Sequence, residues 1–382
     1  MIKLNVVFHF SVFVTMCFSF VGCISETKKD NNIISLDLSV SYSEKEIMLE
    51  EVADIEYLQL EVNENFLFNS NPSIITSEKI FLSNSNGDIL VFSRSGKPLS
   101  KFNHRGGGPN DYAQLGRIIY DDKTDDLFVK SINKILVYSS TGEFKRVISL
   151  LDESNIIEIV NFDSESLLLY DDRNSYPSPF SLISKEDGSV VKTVNIPIDK
   201  KIDLFIVQQL DMDMFISTYA SNHPIVRCCD GYLLTDYSID TVYFLSRDRE
   251  LSPILVRKPK IQSMESKIIL NSYLEAGNFE FVYTVKLKVE NRKLPRTYLM
   301  RDKKNGSVYR QKITFNDFKW KEVTLSPETI VNTQDSQLGL IILSLSELQD
   351  ANSHNRLSGR LKELVDKSDE DGNNIYMFLH FK

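Results

Sequence analysis

Cysteine is scarce in this chain, four residues in 382, and their positions exclude a fold built on several disulfides. Cys17 lies inside an apolar leader and Cys23 at its end, which leaves only the adjacent pair Cys228 and Cys229 for the body of the protein. On a strand such neighbours point to opposite faces and read as packing residues, the other possibility being a strained vicinal disulfide. No Cys-x-x-Cys or His-x-x-x-His pair occurs, so no metal site is expected. There is no Gly-Lys-Ser/Thr phosphate loop, no dinucleotide turn and no Gly-x-Ser-x-Gly nucleophile motif, and neither a catalytic residue nor a cofactor is assigned. Basic clusters are missing too, which at a net charge of −9 argues against nucleic acid as a partner, because phosphate binding needs concentrated Lys and Arg. The acidic runs Asp121-Asp122, Asp125-Asp126, Asp171-Asp172 and 366–371 lack the alternating ligands of a calcium loop and read as turn chemistry.

What is present begins with an address. Lys3 is the one charge in the first 22 residues; a mostly apolar run from Leu4 to Val21 follows, and then Gly22-Cys23. That order fits an export signal better than a membrane span. Phe20-Val21-Gly22-Cys23 resembles the lipobox of bacterial lipoproteins, which implies lipidation at Cys23 and a partner membrane, the outer membrane, reached through that lipid. The expected organisation is a signal peptide over 1–22, a flexible polar tether over 23–45 and one large domain over 46–382.

The domain carries an internal repeat. Ile80-Phe81-Leu82, Ile89-Leu90-Val91-Phe92 and Gly96 return 46 residues later as Leu127-Phe128-Val129, Ile135-Leu136-Val137-Tyr138 and Gly142, and Gly188 lies another 46 along. Several short strands per copy at that period are the pattern of a β-propeller. Looser copies include Tyr232-Leu233-Leu234 with Val242 to Leu245, and Phe281-Val282-Tyr283 with Tyr298-Leu299-Met300; their wider spacing implies loop insertions such as Pro253 to Leu270. Near the end, Leu357, Leu361, Leu364 and Val365 form the stripe of a surface helix. The alternating segment 54–62 and the apolar segment 375–381 are placed to pair and close a ring without exposed edges.

The run Arg105-Gly106-Gly107-Gly108-Pro109-Asn110-Asp111-Tyr112, with the strands that follow it, resembles the blades of NHL-type propellers. It is similar, more closely, to a family of six-bladed β-propeller lipoproteins of gut anaerobic bacteria, of unknown function, with Asn110 and Asp111 in place of that family's Gly-Glu. The resemblance implies an all-β six-bladed propeller with a short helical insertion before the last strand, outside the cytoplasm. Candidate ligand contacts are His104 and Arg105 beside the glycine triplet, which could offer backbone N–H groups to an anion, and Tyr112 and Tyr176 beside turn residues, with Tyr237 a further exposed-tyrosine candidate. The expected function is noncatalytic binding or scaffolding of a glycan, peptide or envelope protein; the alternative is a propeller glycosidase or lyase acting on an extracellular polymer, with carboxylates converging on the channel.

Overall fold

The computed structural model describes residues 33–382, apart from 152–153, 174, 199, 212–213, 229, 331–332 and 370–371. The leader, Cys23 and Cys229 therefore lie outside the described residues. Five antiparallel sheets, each with four consecutive strands, follow one another: blade I over 72–103, II over 118–149, III over 156–194, IV over 225–258 and V over 268–314. Blade VI takes Leu338–Leu343 and Ile375–Phe381 from the end of the chain and Ala53–Leu58 from its beginning, with Phe381 opposite Ala53 and Tyr376 opposite Leu58. Thr333, ahead of these strands, bridges to Ile75 of blade I. The six-bladed all-β propeller is thus present.

The strands read as continuous apolar runs because a blade is buried on both faces. In Leu167-Leu168-Leu169-Tyr170, Leu167 and Leu169 pack toward blade II, while Leu168 and Tyr170 pack toward blade IV. Blade II repeats the division, with Phe128, Ile135 and Val137 turned toward blade III and Leu127, Val129, Leu136 and Tyr138 toward blade I. Period-2 alternation thus assigns each side chain to one of two cores. The cores lie between blades.

Polar clasps cross the same boundaries. The buried Lys185 ammonium of blade III meets Asp121 of blade II at 2.5 Å, Lys79 of blade I meets Asp125 of blade II at 3.3 Å, and Arg249 of blade IV meets Asp163 of blade III at 2.9 Å.

The 46-residue repeat has a local cause. Gly96, Gly142 and Gly188 each sit in the turn between the third and fourth strands of their blade, at φ +87, +89 and +81. Their α-carbons abut the end of the preceding blade's fourth strand: a Cβ on Gly142 would stand 2.5 Å from the Phe102 ring, and one on Gly188 would run into the Ser149 carbonyl oxygen. Positive φ and the absence of a side chain are both needed there. The looser copies keep the positive φ, with Arg249 at +68 in blade IV and Gly306 at +73 in blade V.

Three expectations need correction. Residues 23–45 are not all tether: Ile34–Asp37 adds a fifth, parallel strand to the outer edge of blade IV, and Glu44–Met48 does the same for blade V. Their alternation buries Leu36 and Ile47 and covers two edges that would otherwise present free backbone groups. Pro253 to Lys258 is not loop, since it continues the strand Leu251–Lys258; the extra length before blade IV lies instead in the 195–224 link, which builds a separate hairpin from Phe205–Asp211 and Met214–Tyr219. The apolar stripe, finally, is divided. Helix α1 (Leu345–Ser353) and helix α2 (Gly359–Val365) are separated by Asn355 at φ +55, and Leu357 lies between them. No helix among the described residues is long and apolar enough to cross a membrane.

Gly188→Ala should destabilise the protein by at least about 1–3 kcal/mol in chemical denaturation, because positive φ and the carbonyl clash add. Gly107→Ala should change stability by less than about 0.5 kcal/mol, since nothing lies within 4 Å of the added methyl. Equal effects would separate the repeat glycines from blade packing.

Candidate functional site

The first strands of the blades line a central channel, and its wall includes Ile74, Ile118, Ile159, Val226 and Ile330. Among the described residues that line this stretch, Glu158 is the only carboxylate. It is the third residue of Ile156–Asn161, is buried among these isoleucines and meets the Arg117 guanidinium at 2.9 Å. Burial raises its pKa, against the pull of Arg117 and His223.

At the channel end where these strands begin, a second carboxylate is held oppositely. Glu328, in the short 3-10 turn Pro327–Ile330, accepts from the Tyr283 hydroxyl at 3.0 Å and meets Arg296 Nη1 at 3.3 Å and His223 Nε2 at 3.4 Å. Ser221 completes the set, with its hydroxyl 3.5 Å from Glu328 and 2.9 Å from Arg296 Nη2. The His223 hydrogen bond, ahead of the Arg296 and His223 charges, holds the Glu328 carboxyl at about 2, while burial beside this carboxylate pushes the Tyr283 phenol up. His223 Nδ1 and Asn271 Nδ2 are buried at the same end without a protein partner among the described residues.

Two carboxylates in contrasting environments could divide acid and base roles. The surroundings limit that chemistry. Glu328 is engaged by four donors, and the cavity beside Glu158 has about 80 Å³, whereas small-molecule pockets run to roughly 300–1,000 Å³. A water fits there and a sugar ring does not.

The hairpin from the 195–224 link stands beside this mouth. Leu204 and Ala220 anchor its base in a cluster with Tyr237, Ile261, Ile269 and Tyr283. Gln208 fastens its inner face to blade V, donating to Val289 O at 3.1 Å and accepting from Val289 N at 3.0 Å. On the outer face Phe205 lies opposite Tyr219 and Val207 opposite Ser217, with Phe215 next along. Phe205, Val207, Phe215 and Tyr219 are each more than half exposed. This is unusual for a two-stranded sheet, which has few contacts to spare.

The residues singled out from the sequence fall elsewhere. His104 stacks on Tyr138 with ring planes 1° apart, and its Nε2 bonds Gly142 O at 2.8 Å, which ties blade I to the turn of blade II. Arg105 is exposed and donates to Ser85 O at 3.0 Å. Tyr112 and Tyr176, expected at the surface, are 0% and 2% exposed. The Tyr112 hydroxyl donates to Gly87 O at 2.6 Å, and that of Tyr176 accepts from Leu151 N at 3.3 Å; both rings pack between strands, out of reach of a ligand. Tyr237 is also buried, bonding Asp172 at 2.7 Å. The glycine triplet is pinned by Asp111, whose carboxylate accepts from Gly108 N at 2.8 Å. Glu158, His223, Arg296 and Glu328 belong to no motif in the sequence. The available signal was a lone Glu inside Ile156-Ile157-Glu158-Ile159-Val160. Among the described residues, no three His, Cys, Asp or Glu side chains gather as metal ligands.

The low Glu328 value fixes a pH dependence. A carboxyl lowered in the folded state contributes stability that is complete above its unfolded value near 4.5 and is lost as pH falls toward about 2. Glu328→Gln should lower stability at pH 7 and flatten the stability profile between those limits. Parallel profiles for the variant and the parent would refute the assignment.

Comparison with known proteins follows the geometry. No curated protein matches the chain. Among solved structures it is similar to a Bacteroides fragilis protein named as a predicted exported protein, with a TM-score of 0.60 and 15% identity over 92% of this chain and 99% of that one. It is more distantly similar to BamB from Moraxella catarrhalis, with a TM-score of 0.35 and 9% identity over 69% of each chain. The WD40 domain of Neurospora crassa Pan2 gives a TM-score of 0.40 and 11% identity over 85% of this chain and 95% of that one. At these identities the likeness concerns fold alone. One family model covers nearly all of the propeller, residues 33–380, and the chain belongs to that family, the domain of unknown function DUF4934.

Proposed function

We propose that this protein is a noncatalytic binding module of the cell envelope, exported and held at the outer membrane by lipid on Cys23, which takes an extended polypeptide against the 205–219 hairpin. The observation that carries this reading is the hairpin's outer face, where Phe205, Val207, Phe215 and Tyr219 stand exposed on a sheet that belongs to no blade. Neither long edge of that sheet pairs with another strand among the described residues. An added strand would satisfy an edge through backbone hydrogen bonds, and its alternate side chains would cover the aromatic face. The rigid base around Leu204 and Ala220 lowers the ordering cost of such an encounter.

The catalytic alternative, a glycosidase or lyase, would use Glu158 as acid and Glu328 as its ionised companion. Four donors on Glu328 and about 80 Å³ of space beside Glu158 weigh against it.

A peptide array should yield binders with alternating apolar residues. Phe205→Ser combined with Phe215→Ser should weaken them at least about tenfold, a loss of about 1.4 kcal/mol, without lowering the melting temperature. Soluble polysaccharides tested in parallel decide between readings, because binding there alone would make the ligand a glycan, and new reducing ends would make the protein an enzyme. Cys23→Ala should move the protein from the membrane to the soluble fraction. Unchanged fractionation would remove the lipid anchor.

A further inference from the structure

The other mouth of the channel, where the first strands of the blades end, holds a cavity of about 530 Å³. This volume falls within the range of small-ligand pockets, roughly 300–1,000 Å³. Its charges are unevenly matched. Asp121 is taken by Lys185 at 2.5 Å and Asp163 by Arg249 at 2.9 Å, so the two acids that belong to the blade clasps are already neutralised. Three cations that line the cavity, Lys123, Arg227 and Arg247, have no carboxylate within 4 Å among the described residues. Asp122 and Asp335 also line it, and both are exposed.

Arg227 and Arg247 both come from blade IV and both line the cavity. The Arg227 guanidinium stands 6.0 Å from the Tyr232 centroid. The Tyr232 hydroxyl is spent on the Asn161 backbone carbonyl. The Asn161 side-chain oxygen is closed off inside the same wall. Two arginines without carboxylate partners among the described residues thus line a cavity whose wall also carries Ser77 and Ser164. Guanidinium groups match planar or tetrahedral oxyanions through paired N–H donors.

We propose that this mouth is a binding site for a small acidic ligand of monosaccharide size, a carboxylate or a phosphate ester, its acid group held by Arg227 and Arg247. The site lies at the opposite end of the channel from the hairpin and does not depend on the hairpin's ligand. Carboxylate and phosphate ester share the recognising chemistry.

Calorimetric titration of the mature protein with glucuronate, glucose 6-phosphate and neutral glucose tests the site. At least one acid sugar should bind at least tenfold tighter than glucose and weaken with added salt, and the stronger acid sugar names the acid group. Arg247→Gln, at an exposed position, should cost at least threefold at an unchanged melting temperature. Arg227→Gln should cost at least tenfold. Phe205→Ser with Phe215→Ser should leave all three titrations unchanged. Failure of both acid sugars to bind, binding equal to that of glucose, or full binding by the Arg227→Gln and Arg247→Gln double variant would overturn the proposal.

Discussion

Everything in this molecule depends on apolar packing between neighbouring blades. A single blade has no interior of its own, because it is one sheet thick and both faces are apolar. Leu168 finds its burial only when blade IV is in place, and Leu169 only when blade II is. Burying such side chains contributes roughly 1.5–3 kcal/mol each, so a missing neighbour would expose an entire row of them. The ring therefore has to close. Blade VI achieves this by drawing strands from both ends of the described chain, and the large cluster that joins blades IV, V and VI includes Leu345, Leu348, Leu361 and Val365 from the two helices.

That constraint also explains where the polar groups lie. A boundary filled by Leu, Ile and Phe leaves polar contacts to its margins, and the clasps Lys185 to Asp121, Lys79 to Asp125 and Arg249 to Asp163 sit in turns and strand ends. Along the axis, the first strands converge but do not touch across the ring, and charge gathers at the two mouths. Glu158, Glu328, His223 and Arg296 occupy one end and Arg227 and Arg247 the other. The two ends differ in kind, since the first engages the Glu328 carboxylate with four donors beside the hairpin's base and the second leaves guanidiniums without carboxylate partners among the described residues.

The fold was legible wherever physics is local and repeated. Gly96, Gly142 and Gly188 announce the period because a positive φ and a close approach recur at each blade boundary. The repeat faded at Arg249, where the same backbone conformation is adopted by a residue that does not advertise it. The candidate contacts fared differently. Tyr112 and Tyr176 stand next to turn residues in sequence, yet their rings fold back between strands, and adjacency to a turn carries no information on which way a side chain points. Ile34-Ser35-Leu36-Asp37 looked like tether because four alternating residues are too few to distinguish a strand from a polar linker.

Sequence by itself determined the architecture, the blade period, the late helical insertion and the lack of any contiguous catalytic or metal motif, because each is written in neighbouring residues or at a constant spacing. Tertiary structure alone decided which groups meet. Glu158 and Arg117, Glu328 and His223, and Tyr232 and Asn161 lie 41, 105 and 71 residues apart. They are brought together only because six blades share one axis, and closure of that ring is a property of the whole chain.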